Sequence, residues 1–379
     1  MRNIFLAMLF LLSPPAFAQK NLAQHTNDDI DSLKRLLSSA KEDTIKVNLL
    51  NELSSACIFV YADLSVHYAK QGLQLAEKMG YTKGKFLNIY NLVLGLSNLG
   101  KFKEALDYGI QGMQLAQNLK DTPDLSWMYL ALLVCYREQE DYKEALTYGY
   151  RSKQISRSED SVQRAVTFGD IASVHERSDQ LDSALYYANI VVGMMDSVTW
   201  SGLLEVLGHI YVKKGQPDSA LYYYRKSVIL AEQQRVYIDL IDSYNGMSKA
   251  FALKGKIDSS IYFAEKAMSQ QGINTYPDGA LRSALQLSNV YELKGEKDKV
   301  IKYQKLALTL KNQLFDRRKT REAERLMFDE RLRQQELQQQ LARANLAYKN
   351  RLNIYFLLAG LLILIIVAVG LWKIGRAHV

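Results

Sequence analysis

Residues 203–227, LLEVLGHIYVKKGQPDSALYYYRKS, decide the fold. Leu204, Leu207 and Tyr211 recur at helical spacing and mark one apolar face. Lys214-Gly215-Gln216 follows as a turn, and its glycine offers the left-handed conformation that ends a helix. Asp218 then stands where an acid suits the start of a second helix. On that helix Ala220, Tyr223 and Ser227 fall at 0, +3 and +7, a spacing that keeps all three on one side. The small residues let another helix approach, and the aromatic is expected to fill the space between neighbouring repeats.

Outward from this stretch the same triplet recurs. The series is Ser65-Tyr68-Gly72, Ala105-Tyr108-Gly112, Ala145-Tyr148-Ser152, Ala184-Tyr187-Val191, Ala220-Tyr223-Ser227, Ser260-Phe263-Ala267 and Val300-Tyr303-Ala307. The anchors are 40, 40, 39, 36, 40 and 40 residues apart. A fixed period of this size means stacked units that bury their faces only against one another. Apolar stretches such as Leu92, Leu96 and Leu99 precede the anchors. Turns at Leu99-Gly100-Lys101, Lys254-Gly255-Lys256 and Lys294-Gly295-Glu296 separate the two halves, and Asp258 and Asp298 repeat the role of Asp218. The third and fourth units carry Glu140 and Asp179 where the others have the turn glycine. The fold class is all-α: a solenoid of about seven helical hairpins over residues 45–312, followed by a long linker helix and one transmembrane helix. Within residues 19–44, Ile30 to Ser39 with Leu33, Leu36 and Leu37 reads as a capping helix.

The pattern resembles the tetratricopeptide repeat. In the fifth unit Leu207-Gly208, Tyr211, Gly215, Ala220 and Tyr224 fall at that family's spacing, with Ser227 in the last small position. The sixth (Phe251, Gly255, Ser260, Ala267) and seventh (Tyr291, Gly295, Ala307) fit in part, and the first is off register in its first helix. The period exceeds the usual one of about 34 residues by roughly six. The resemblance implies that the first helices line a concave groove. Its groove-facing spacing points to Arg137, Glu176, Arg177, Glu205, His209, Asn245, Lys249, Asn289 and Glu292. Polar residues there would clamp a peptide backbone or terminus. The competing reading is ordinary solvated positions. Tyr186, Tyr222, Tyr224 and Tyr262 read as packing between repeats rather than a ligand box.

The ends carry different signals. Residues 1–18 read as a signal peptide: Arg2, an apolar run from Ile4 to Leu12, and Ala16-Phe17-Ala18 before a cleavage point at Gln19. Leu352 to Trp372 is an uncharged stretch with Tyr355 and Trp372 near its ends. Its 21 residues would span about 32 Å as a helix, enough to cross a bilayer. Between Leu310 and Arg351 11 basic residues face 6 acidic ones, so much of the chain's +8 charge is local. Residues 313–351 read as a basic, Gln-rich helix, either a solvated spacer or a weak coiled coil that pairs a homodimer. The tail 373–379 ends in Ile374-Gly375-Arg376-Ala377-His378-Val379, which matches translated sequencing adapter, so the natural chain is expected to continue. Cys57 and Cys135 are expected to be two buried thiols rather than a disulfide.

No metal-ligand cluster, phosphate loop, dinucleotide fingerprint or nucleophile elbow is present in the sequence, so neither cofactor nor catalytic site is expected. His25, His67, His175 and His209 are read as surface or satisfied side chains. The order of segments is similar to the extracytoplasmic half of a bacterial tetratricopeptide-containing sensor histidine kinase. The stretches Leu326-Met327-Phe328, Arg333-Gln334-Gln335-Glu336-Leu337 and Arg351-Leu352 carry that resemblance. It implies a protein or peptide ligand outside the inner membrane, one spanning helix, a cytoplasmic C-terminus and a kinase core beyond residue 379. No nucleic-acid partner is expected for these residues. The alternatives are a membrane-tethered scaffold for envelope assembly and the input region of a helix-turn-helix regulator.

Overall fold

The computed structural model describes residues 27–58, 61–119, 121–156, 161–194, 200–234, 236–270 and 276–313, with 341 and 349 besides. The signal peptide, nearly all of the linker and the span 352–372 lie outside the described residues. Among those described, no helix is long and apolar enough to cross a membrane. The chain divides into two units, 1–324 and 325–379, and every helix named below belongs to the first.

That unit is a succession of helices. A single helix, α1 (Asn27–Ser39), precedes seven hairpins. They are α2 (Thr44–Cys57) with α3 (Ala62–Lys78), α4 (Thr82–Asn98) with α5 (Phe102–Leu119), and α6 (Thr122–Glu138) with α7 (Tyr142–Ile155). Next come α8 (Ser161–Arg177) with α9 (Leu181–Met194) and α10 (Ser201–Lys213) with α11 (Pro217–Gln234). The series closes with α12 (Tyr237–Leu253) and α13 (Ile257–Met268), then α14 (Pro277–Lys294) and α15, helical over 297–313.

Six of the seven first helices end alike. The N–H one residue past the left-handed position returns to a carbonyl in the last turn: Lys101 to Leu96, Asp141 to Tyr136, Gln180 to His175, Gln216 to Tyr211, Lys256 to Phe251 and Glu296 to Tyr291, all at 2.8–3.0 Å. This closes carbonyls that a helix end would leave open. The motif forms even where the sequence lacks glycine. Glu140 and Asp179 adopt φ of 64° and 58°, against 69° for Gly215. A side chain in this region costs about 1–2 kcal/mol, which the hairpin packing on either side overcomes.

The triplets sit where their spacing places them. The 0 positions from Ser65 to Ser260 are fully buried, as are Ser152, Val191, Ser227 and Ala267 at +7. Serines there also tie the two helices of a hairpin together: Ser54 to Ser65, Ser126 to Ser152, Ser227 to the Ser201 carbonyl, and Ser248 to Ser260, at 2.7–3.1 Å. Five of the +3 aromatics stack within their own hairpin, on a ring in the last turn of the first helix, and Tyr187 also meets Tyr150 and Lys153 of the preceding hairpin. Tyr148 lies on Tyr136, Tyr187 on His175, Tyr223 on Tyr211, Phe263 on Phe251 and Tyr303 on Tyr291, with centroids 5.3–5.8 Å apart and planes within 10°.

Each second helix packs against the first helix of its own hairpin and of the next, and each first helix also packs against the next first helix. The first helices therefore make one continuous layer from α2 to α14. At one end α1 buries Ile30 and Leu33 against Leu53, Ala56 and Cys57 of α2, while Leu36 stays exposed. Cys57 and Cys135 are both buried free thiols, as expected. Tyr224 packs in the core, but Tyr186, Tyr222 and Tyr262 are more than half exposed. Those three follow the 0 position by two residues, which turns them outward, edge-on to Tyr187, Tyr223 and Phe263.

Candidate functional site

The layer of first helices is where charge collects. At the end of α6, Arg137 donates to Asp170 of α8 at 2.9 Å and to Glu138 at 3.0 Å. Arg177, at the end of α8, reaches Glu138 at 3.3 Å. Against the burial that would raise it, Arg177 and Arg137 hold the Glu138 carboxyl down to about 2. Burial outweighs Arg137 at Asp170 and raises its pKa. Glu176 is almost wholly buried and pairs with Lys213 of α10 at 2.9 Å. Arg137, Glu176 and Arg177 are thus tied to neighbouring first helices rather than left open to a ligand.

Farther along, α10, α12 and α14 form a second group. Arg282 of α14 donates to Asp242 of α12 at 2.6 Å, and the Tyr276 hydroxyl donates to the same carboxylate at 2.8 Å. Against burial, Arg282 holds Asp242 below the usual carboxylate range. Asp239 accepts from Ser201 at 2.5 Å, and burial pushes its carboxyl up to about 6. Glu205 has one close titratable neighbour, His209, at 3.6 Å. Burial, with Asp242 and Asp239 nearby, raises Glu205 well above its ordinary value. Burial lowers His209, favouring the neutral ring.

Asn245 follows Glu205 by 40 residues, the same position on the next first helix. Its side chain is 2% exposed, and neither amide atom has a hydrogen-bond partner. A buried amide normally has one, since leaving it unpaired costs about 1–3 kcal/mol. Beside it, the fully buried Tyr224 hydroxyl also lacks a partner. Tyr224 comes from α11 and passes between α10 and α12, where a Cβ on Gly208 or Gly246 would collide with its ring. Lys249, one turn after Asn245, is exposed and has no ion pair among the described residues. Asn289 and Glu292 lie exposed on α14 and join neither group.

The structure therefore brings Glu205, His209, Asn245 and Lys249 into one region of the layer, and Arg137, Glu176 and Arg177 into another. Groove spacing alone does not single out Asp170, Asp239, Asp242, Tyr276 or Arg282. A signal for two of them is present: Asp242 and Arg282 are 40 residues apart, one helical turn before the row of Glu205 and Asn245. His175 is a satisfied histidine, held by Tyr150 at 3.0 Å and Gln180 at 2.8 Å. Among the described residues no group of three histidine, cysteine or acidic side chains is placed to hold a metal ion.

Family models described as tetratricopeptide repeat match residues 86–158 and 202–234. The chain carries tetratricopeptide repeats. No curated protein matches it by sequence. Among solved structures it is similar to the apo quorum sensor NprR from B. thuringiensis: 14% identity over 82% of this chain and 91% of that one, TM-score 0.53. NprR in complex with its cognate peptide NprX gives 14% identity, 82% and 92% coverage, and a TM-score of 0.56. Aspartyl phosphate phosphatase F from Bacillus subtilis gives 15%, 66% and 67%, and 0.51. At such identities the likeness is one of fold alone. The tetratricopeptide array is a protein-interaction module, built here on helices that present polar side chains along one layer.

Proposed function

We propose that the first-helix layer of this array binds a peptide, and that the array is the extracytoplasmic input region of a two-component sensor histidine kinase. The observation that carries the binding reading is Asn245, a buried amide whose donor and acceptor are both unpartnered. A peptide backbone offers one N–H and one C=O per residue, the complement of such an amide. NprR, of similar fold, is solved in complex with its cognate peptide NprX, which supports a peptide ligand for this array. The ion pairs at Arg137, Arg177 and Lys213 keep successive first helices in register beside it.

The finer reading rests on the sequence. The signal peptide at 1–18 and the uncharged stretch 352–372 support a single-pass protein of the bacterial inner membrane, with repeats in the periplasm and the C-terminus inside. The basic helix 313–351 joins the array to the membrane and pairs two copies. The kinase core lies beyond residue 379. Two experiments test this. Reading the gene downstream should reveal a phosphoacceptor histidine box; a stop codon directly after the span, or a helix-turn-helix domain, overturns the kinase assignment. Partner recovery from the periplasm by the parent chain should fall with Asn245→Ala, and unchanged recovery overturns the binding assignment.

A further inference from the structure

Each second helix before α15 is covered by the first helix of the next hairpin, and among the described residues α15 has no such neighbour. Equivalent positions show what this leaves open. One residue past the anchor, Val66, Leu106, Leu221 and Ile261 are at most 8% exposed, whereas Ile301 is 51% exposed. Eight past it, Leu73 and Met113 are buried, whereas Leu308 is 59% exposed. Four past it, Ala69, Gly109, Gly149, Ala188, Tyr224 and Ala264 are all buried, and Gln304 is exposed. These positions face the neighbouring hairpin. Ile261 and Ala264 pack with Leu287 and Val290 of α14, and a Cβ on Gly109 would meet Leu132 of α6. At spacings of three and four, Ile301, Gln304 and Leu308 make one stripe along α15. The sequence that follows does not encode an eighth first helix to cover it. One 40-residue period past the buried Ala284, Val290 and Tyr291 stand Glu324, Glu330 and Arg331. No glycine or proline occurs between 314 and 351 to turn the chain back.

We infer that a second copy of this chain covers the stripe, α15 against α15, about a twofold axis that passes beside Gln304. The middle residue decides for a second copy. A glutamine amide both donates and accepts, so it can pair with its own copy across such an axis. Against a different, apolar helix the same amide would be buried without a partner. Ile301 and Leu308 flank it, so the contact is apolar on both sides of one polar pair, an arrangement that fixes register and partner in paired helices. In the six earlier hairpins this position holds alanine, glycine or tyrosine. The glutamine thus appears on the one second helix that no later hairpin covers. The inference depends neither on peptide binding nor on the pairing of 313–351, and it places self-association on the array itself.

The test uses the full chain in detergent with single added cysteines. Cys57 and Cys135 are wholly buried, so the added thiol is the one that reacts. A disulfide needs Cβ atoms about 3.5–4.5 Å apart, which a residue meets with its own copy only near the axis. Under mild oxidation Gln304→Cys should give several-fold more covalent dimer than Leu306→Cys, which points off the stripe. Adding Ile301→Glu to Gln304→Cys should abolish the link. Ile301 is exposed, so the fold should tolerate the change, and thermal unfolding checks that it does. Equal linking at 304 and 306, or a link at 304 that survives Ile301→Glu, overturns the inference. Linking at Leu337→Cys but not at Gln304→Cys keeps the pairing of 313–351 and overturns this contact. No link at either position also overturns it, and assigns the stripe to another part of the chain or to a different protein.

Discussion

Two junctions between successive first helices show how one scaffold serves two ends. Between α2 and α4, Asn91 donates its amide to the Asn51 side chain at 2.9 Å and to the Asn51 carbonyl at 3.0 Å. Nearby Asn88 donates to the Gly84 carbonyl at 2.8 Å. Between α10 and α12, Asn245 is as deeply buried and donates to nothing. Asn91 and Asn51 are 40 residues apart, and so are Asn245 and Glu205. Burial therefore does not separate a structural asparagine from a binding one. What separates them is whether the equivalent residue of the neighbouring repeat answers it. At the first junction an asparagine answers an asparagine; at the second, the equivalent residue is an acid with demands of its own.

The largest effect should come from breaking the first junction, where the Asn91 amide nitrogen is answered although its oxygen, like that of Asn88, is not. Asn91→Ala removes two buried hydrogen bonds and opens a small cavity, so stability should fall by ~3 kcal/mol. Asn245→Ala has no hydrogen bond to lose and should cost less than ~1 kcal/mol. Urea unfolding of both variants, followed by helical circular dichroism, checks the contrast. Equal losses would mean that Asn245 is held as firmly as Asn91, and the comparison would fail.

The acids of the open junction give the next effect, and its sign is distinctive. In the folded chain Asp239 keeps its proton up to about pH 6, whereas its ordinary value is 3.8. The folded state binds more protons between these values. Its contribution to stability is therefore full below pH 3.8 and lost as pH rises through 6. Asp239→Asn removes that loss, so it should stabilise the chain by ~2 kcal/mol at about pH 8 and change little near pH 3.5. The measurement is the unfolding midpoint at both values. Destabilisation at the higher pH would show that the carboxylate is compensated in the free protein. Stabilising variants that weaken binding are the usual mark of a site held open for a ligand.

The repeat architecture was legible because it is written in residue size and period. Small residues at 0 and +7 and an aromatic at +3 must recur if equivalent helices are to stack. The turns were legible only where glycine announces them. At Glu140 and Asp179 the packing of helices already fixed on both sides imposes the left-handed conformation, and no local residue reports it. Glu140→Gly should therefore stabilise by ~1–2 kcal/mol, and Gly215→Ala should cost about as much, read as opposite shifts in melting temperature. The outward tyrosines escape a reading by spacing because helical periodicity cannot tell +2 from +3 when both are aromatic; only the ring on the facing helix decides which one turns in. The site was legible as a row but not as a circuit. Spacing located Glu205 and Asn245, whereas the answering groups, Asp239 and Arg282, depend on which neighbouring turn comes within reach.

The smallest expected effect is the sharpest in sign. Tyr244 and Tyr224 are both buried near the open junction. The Tyr244 hydroxyl donates to Glu232 at 2.9 Å, and that of Tyr224 meets no partner. Tyr244→Phe removes a bond to a charged acceptor and should cost ~1 kcal/mol. Tyr224→Phe removes a hydroxyl that burial already penalises, so stability should rise by ~1 kcal/mol. Ring packing at Tyr224 is unaltered by the change, because Gly208 and Gly246 continue to flank the same ring. The paired thermal unfolding curves should move apart in opposite directions. If both variants lose stability, the Tyr224 hydroxyl is engaged in the free chain, and the open junction is closed by something other than a ligand.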